Sequence, residues 1–95
     1  MTKREKQKSL TKEFLTWVKE IYPNADFDDS EGYGYTDISL DGKWEGDDVI
    51  SFRRHHNEVS AYNWASKYVL HAEVVMDKKL NELKEKYQLY YGRNN

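Results

Sequence analysis

Apolar residues return along the first quarter of the chain at the step of a helix. Leu10, Phe14, Trp17, Val18 and Ile21 lie on one face of a 3.6-residue period, and Lys12, Glu13, Thr16, Lys19 and Glu20 fill the other. Ser9 is the expected N-cap, with Lys12 where a capping box would place Glu. Pro23 disfavours helical geometry at Tyr22 and ends the element. Residues 1–8 offer nothing to bury and read as a basic, flexible lead-in.

After the helix the period changes. Residues 24–34 have no periodicity, are rich in Asp, Asn, Ser and Gly, and read as a loop. From Tyr35 to Leu40 the pattern alternates, with Thr36, Ile38 and Leu40 against Tyr35, Asp37 and Ser39, which predicts a half-buried strand. Asp41-Gly42 is a hairpin-type dipeptide. Only Trp44 is apolar between Lys43 and Asp48, so either a strand begins at Lys43 with a bulge near Gly46, or residues 41–48 form one loop. Val49 to Arg54 is the clearest strand, with Ile50 and Phe52 opposed to Val49, Ser51 and Arg53. A turn over His55-His56-Asn57-Glu58 leads to a strand from Glu58 to Trp64, whose inward face the alternation leaves open.

The helical period resumes from Ala65 to Tyr91. Val69, Ala72, Met76, Leu80, Leu83, Tyr87 and Tyr90 follow near-heptad steps, Lys78–Glu82 and Glu82–Lys86 are i,i+4 pairs, and Gly92 stands where a C′ glycine belongs. The expectation is one α+β domain over residues 1–95 of order α-β-β-β-α. A three-stranded antiparallel sheet is flanked by an N-terminal helix and a long C-terminal helix. Three strands span about 10 Å, whereas a helix of roughly 26 residues is about 39 Å long. Its distal half therefore needs further cover. Either the first helix supplies it, or a second copy does, as a homodimer through Leu80, Leu83, Tyr87 and Tyr90.

Charge alters this picture by its distribution. The 15 basic and 17 acidic side chains almost cancel, to a formal net charge of −2. Yet residues 26–48 hold nine carboxylates against Lys43 alone, and both flanks are net basic. Aromatic residues make up 15 % of the chain, which separates it from disordered chains of similar charge. The absence of cysteine removes disulfides and thiolate metal sites. No apolar run approaches the ~20 residues of a membrane span, and the N-terminus has no signal-peptide core. The expected setting is cytoplasmic, away from membranes.

Catalytic and metal signatures do not emerge. His55 and His56 fall in a turn and His71 on a helix, without a His-Glu-x-x-His spacing. Asp26, Asp28 and Asp29 begin like a calcium loop, but Glu31 stands at the sixth position, where an EF-hand needs Gly. Gly32-Tyr33-Gly34 precedes a strand, not the helix that phosphate binding requires. We therefore expect no enzyme activity, cofactor or metal. Nucleic-acid binding is the alternative, through a basic N-terminus (Lys3, Arg4, Lys6, Lys8, Lys12) and Arg53 with Arg54. The element order is also that of double-stranded-RNA-binding domains, but the start of the second helix reads Ala65-Ser66-Lys67-Tyr68, with one lysine where those domains are lysine-rich.

The acidic stretch itself has two readings: a solvated surface that keeps the chain soluble, or a face that competes for a basic groove built to hold phosphates. On the second, Asp26, Asp28, Asp29, Glu31, Asp37, Asp41, Glu45, Asp47 and Asp48 supply the charge, and Tyr33, Tyr35 and Trp44 the anchors. In size, lack of cysteine, sheet-and-helix order and acidic loops the chain resembles small anti-CRISPR and related phage-encoded inhibitors. That resemblance implies an inhibitor or adaptor acting in a host cell's cytoplasm. Its partner would be a host protein with a basic nucleic-acid-binding groove, a CRISPR effector for example.

Overall fold

Helix α1 (Lys3–Ile21) starts earlier than its apolar face. Thr2 is the N-cap: its hydroxyl accepts the Glu5 amide at 3.1 Å, while the Glu5 carboxylate accepts the Thr2 amide at 2.8 Å. This reciprocal capping box satisfies two amides that a helix start leaves without partners. The bond from the Thr2 backbone also holds the Glu5 carboxyl below its usual range. Residues 3–8 are therefore helical, which corrects the reading of a flexible lead-in and of Ser9 as the cap. The structure, a computed structural model, describes residues 2–30, 34–45, 49–55, 58–62 and 71–89.

Four strands follow among the described residues: β1 (Asp26–Ser30), β2 (Tyr35–Ser39), β3 (Val49–His55) and β4 (Glu58–Tyr62). They form one antiparallel meander in the order β1-β2-β3-β4. Helix α2 (His71–Lys86) closes the described chain. The α+β class and the order helix, antiparallel strands, helix hold. The loop expected at 24–34 is corrected in part, because Asp26–Ser30 pairs along its whole length with β2. Its single apolar residue, Phe27, suffices because an edge strand draws its stability from one neighbour and one covered side. Gly34, just before β2, adopts φ +76°; a Cβ there would lie 2.5 Å from the Arg54 carbonyl oxygen.

The core lies between one face of the sheet and both helices. Leu10, Phe14 and Val18 of α1 meet Ile38, Ile50, Phe52 and Ala61 of the sheet, and Met76, Leu80 and Leu83 of α2. The Phe14 and Phe52 rings sit 4.7 Å apart at its centre. Each of the larger buried side chains, Ala61 excepted, contributes about 1.5–3 kcal/mol relative to exposure. The inward face of β4, left open by its alternation, is the one that carries Ala61.

Helix α1 supplies the cover that the second helix needs. Leu80 is 0 % and Leu83 2 % exposed within the one chain. A homodimer seam through them is corrected accordingly, since the monomer's own core already holds both; Tyr87 is half-buried against that core, and Tyr90 lies outside the described residues. The i,i+4 pairs expected on α2 are replaced as well: Glu82 meets Lys79 at 4.0 Å, and Lys86 reaches across to Glu13. Helix α2 ends at Lys86, short of the expected Tyr91. The Gln88 amide donates to the Glu85 carbonyl at 3.1 Å and the Leu89 amide to the Lys84 carbonyl at 2.8 Å. With Gln88 at φ +55° and Leu89 buried, this is a Schellman ending closed by glutamine, not by Gly92.

Candidate functional site

Strand register assigns each carboxylate to a face. Phe27, Ile38 and Ile50 share one row and Asp29, Thr36 and Phe52 another, both toward the helices. The rows between them point the other way: Asp26, Ser39 and Val49, then Asp28, Asp37 and Ser51. Neither helix packs on this second face. Asp26, Asp28 and Asp37 therefore stand together on the side of the sheet away from the helices, with Tyr35 and Arg53 in the next row. Asp26 and Asp28 are exposed and Asp37 is half-buried, with Ser39 and Ser51 buried beside them.

Backbone pairing sharpens the arrangement. The Arg54 amide donates to the Gly34 carbonyl, so Gly34, Thr36 and Ile38 direct their backbone groups to β3, and Tyr35, Asp37 and Ser39 direct theirs to β1. Asp28 and Asp37 are thus a hydrogen-bonded pair with Cα atoms about 5.5 Å apart and side chains on the same face. The Ser51 hydroxyl donates to Asp37 Oδ1 at 2.6 Å. Among the described residues no salt bridge takes up Asp26, Asp28 or Asp37.

The loop after β2 folds back over one end of this face. Asp41 Oδ1 accepts the Lys43 amide at 2.9 Å and the Ser39 hydroxyl at 3.3 Å, and the Lys43 amide holds its carboxyl below the usual range. Ser39 Oγ in turn accepts the Trp44 amide at 3.0 Å. Trp44, at φ +59° and 39 % exposed, donates its indole N–H to Asp26 Oδ2 at 2.8 Å. Trp44 is consequently fixed beside the carboxylates instead of moving freely among them. Glu45 is exposed on the same loop.

Asp29 does not belong to this cluster. It lies on the helix side, where Arg54 NH2 meets Asp29 Oδ1 at 3.0 Å and Arg54 NH1 donates to Thr36 Oγ1 at 2.7 Å. The Thr36 hydroxyl donates to the same Asp29 oxygen at 2.8 Å. Arg54 also packs over the Phe52 ring at 4.9 Å. The acidic stretch is therefore divided, with Asp26, Asp28 and Asp37 on the face away from the helices, Asp29 on the helix side, and Asp41 used up in a turn. Glu31, Tyr33, Asp47 and Asp48 lie outside the described residues, as does His56. The basic alternative is divided too: Arg54 is engaged inside the fold, while Arg4, Lys8 and Lys12 recur at four-residue steps along α1.

Among the described residues no group of three or more His, Cys, Asp or Glu side chains is arranged to hold a metal ion. No described helix is long and apolar enough to cross a membrane. No known family, characterised protein or solved structure matches this chain. The signal that sequence reasoning missed was Asp26-Phe27-Asp28, an alternation too short and too polar to read as a strand.

Proposed function

We propose that this is a non-enzymatic binding protein that docks the acidic face of its sheet, the one away from the helices, onto a basic, nucleic-acid-binding groove of a partner protein. The action is the one implied by its resemblance to small phage-encoded inhibitors. The observation that carries the reading is the pairing of Asp28 with Asp37. Like charges directly opposite on an antiparallel pair destabilise the sheet, and no salt bridge among the described residues takes up either carboxylate. A feature that weakens folding is most simply explained by a partner that makes use of it. Trp44 and Tyr35 border the charges and supply contact area that is already ordered before binding.

The test compares the wild-type chain with a triple variant, Asp26→Asn, Asp28→Asn and Asp37→Asn, as bait in a bacterial lysate. We expect wild type to retain a nucleic-acid-binding protein that duplex DNA competes away, and the variant to lose it while its melting temperature is equal or higher. Equal retention of the same proteins by both baits refutes the reading.

A further inference from the structure

We infer that β1 is an acceptor edge: a partner protein adds an extended strand there, in which basic residues alternate with aliphatic ones. This rests on the acidic face being the docking surface, and it specifies how a partner reaches that face.

The two edges of the sheet are treated differently. On β4, Asp77 of α2 accepts the Ala61 amide at 3.0 Å, so the helix covers an outward backbone donor. On β1, the register directs the N–H and C=O of Phe27 and Asp29 away from β2. Among the described residues nothing bonds to them; the only neighbouring cover is Lys19 Nζ on the Ala25 carbonyl at 2.7 Å, one residue before the strand. Four main-chain groups in ladder geometry are what strand addition uses for affinity.

The surroundings select the side chains of an added strand. Toward the helices, the edge borders a groove of about 530 Å³ between α1 and β1, with Leu15 and Phe27 as its apolar floor. A second hollow of about 330 Å³, reaching Lys8 and Asp29, adjoins it at Lys12. Aliphatic side chains from an added strand fit this trough. On the open side the same strand would run beside Asp26 and Asp28, which select lysine or arginine. A second copy is a poor occupant. Pairing β1 with its own equivalent sets Asp26 and Asp28 against the same carboxylates of the other chain, the repulsion already present between Asp28 and Asp37.

The probe is an acetylated, amidated heptapeptide of alternating lysine and valine, added to the full-length chain. We expect amide exchange at Phe27 and Asp29 to slow at least tenfold. N-methylation of alternate peptide amides should weaken binding at least tenfold, as should replacing every lysine by glutamate. Undiminished binding of the N-methylated peptide overturns strand addition while leaving charge-driven docking of the acidic face intact. Equal binding of the glutamate peptide overturns the charge-matched occupant and, with it, the acidic-face reading. Protection of Phe27 and Asp29 in the free protein also overturns the inference. Loss of that protection on dilution would assign the edge to a second copy, and its persistence to the chain's own segments.

Discussion

Lys86 lies 2.9 and 3.1 Å from the two carboxylate oxygens of Glu13, 73 positions earlier in the chain. The Tyr87 hydroxyl donates to the same carboxylate at 2.7 Å. One acidic side chain thus ties the last turn of α2 to the middle of α1, above the leucines that both helices bury. The bond from Lys86, then that from Tyr87, holds the Glu13 carboxyl below its usual range. The same contact holds the Lys86 and Tyr87 protons more tightly than usual.

Glu13→Gln should lower the melting temperature by about 2–5 °C at neutral pH, given the modest worth of exposed ion pairs in a domain of this size. Because the folded carboxyl is depressed, its contribution is complete above about pH 4.5 and is lost as pH falls through the folded value. The raised values of Lys86 and Tyr87 place the opposite limit above about pH 10, where the contribution fades as they deprotonate. Melting curves of wild type and Glu13→Gln should therefore converge at both extremes. A gap that does not narrow as pH falls below about 4.5 would contradict the assignment.

Gln88→Gly should stabilise the chain by about 0.5–1 kcal/mol, because the left-handed position that ends α2 strains any residue with a Cβ and suits glycine. Urea unfolding with an unchanged m-value is the measurement. Gln88 is exposed, so no packing is lost in the exchange.

Arg54→Ala should cost about 1–3 kcal/mol, since it removes a side chain that is 14 % exposed, its packing on Phe52 and its bonds to Thr36 and Asp29. The partner carboxylate, 55 % exposed, stays hydrated and adds little to the loss. Arg54→Lys should recover less than half, because an ammonium cannot bridge Thr36 and Asp29 while lying flat on a ring. Equal stability of Lys and Arg at this position would mean that charge alone matters.

Asp28→Asn should raise stability by on the order of 0.5 kcal/mol through relief of its contact with Asp37. The gain should shrink in 1 M salt, where screening extends over only about 3 Å. A loss of stability would show that the paired carboxylates are accommodated by the fold itself.

The elements legible in the sequence were those with several buried positions. Leu10, Phe14 and Val18 announced α1, and Ile38, Ile50 and Phe52 announced the central strands, because burial imposes a period on the residues that undergo it. Edge and terminal features carry no such imprint. Strand β1 shows only Phe27 to the core, so its carboxylates read as loop. The Thr2–Glu5 cap was present as Thr-x-x-Glu, but no apolar residue follows within its first turn to draw attention to it. Division of the acidic stretch between two faces could not be read before β1 existed, because alternation assigns sides only within a strand. The engagement of Arg54 depends on register between β1, β2 and β3, and no local pattern encodes that.

The uninterrupted meander has a consequence for how the chain folds. Every strand pairs with its neighbour in sequence, so each rung can form after closing a short loop, at small entropic cost. The seal over Phe14 and Leu10 is of another kind, since the whole sheet separates α1 from α2 in sequence. During synthesis the ladder can assemble as its strands emerge and take up Phe14 against Phe52, whereas the part of the α1 stripe that faces α2 waits until that helix has been made. The slow step is therefore expected to be closure of the helix pair, and substitutions at Leu80 and Leu83 should change the unfolding rate more than the rate at which the sheet is built.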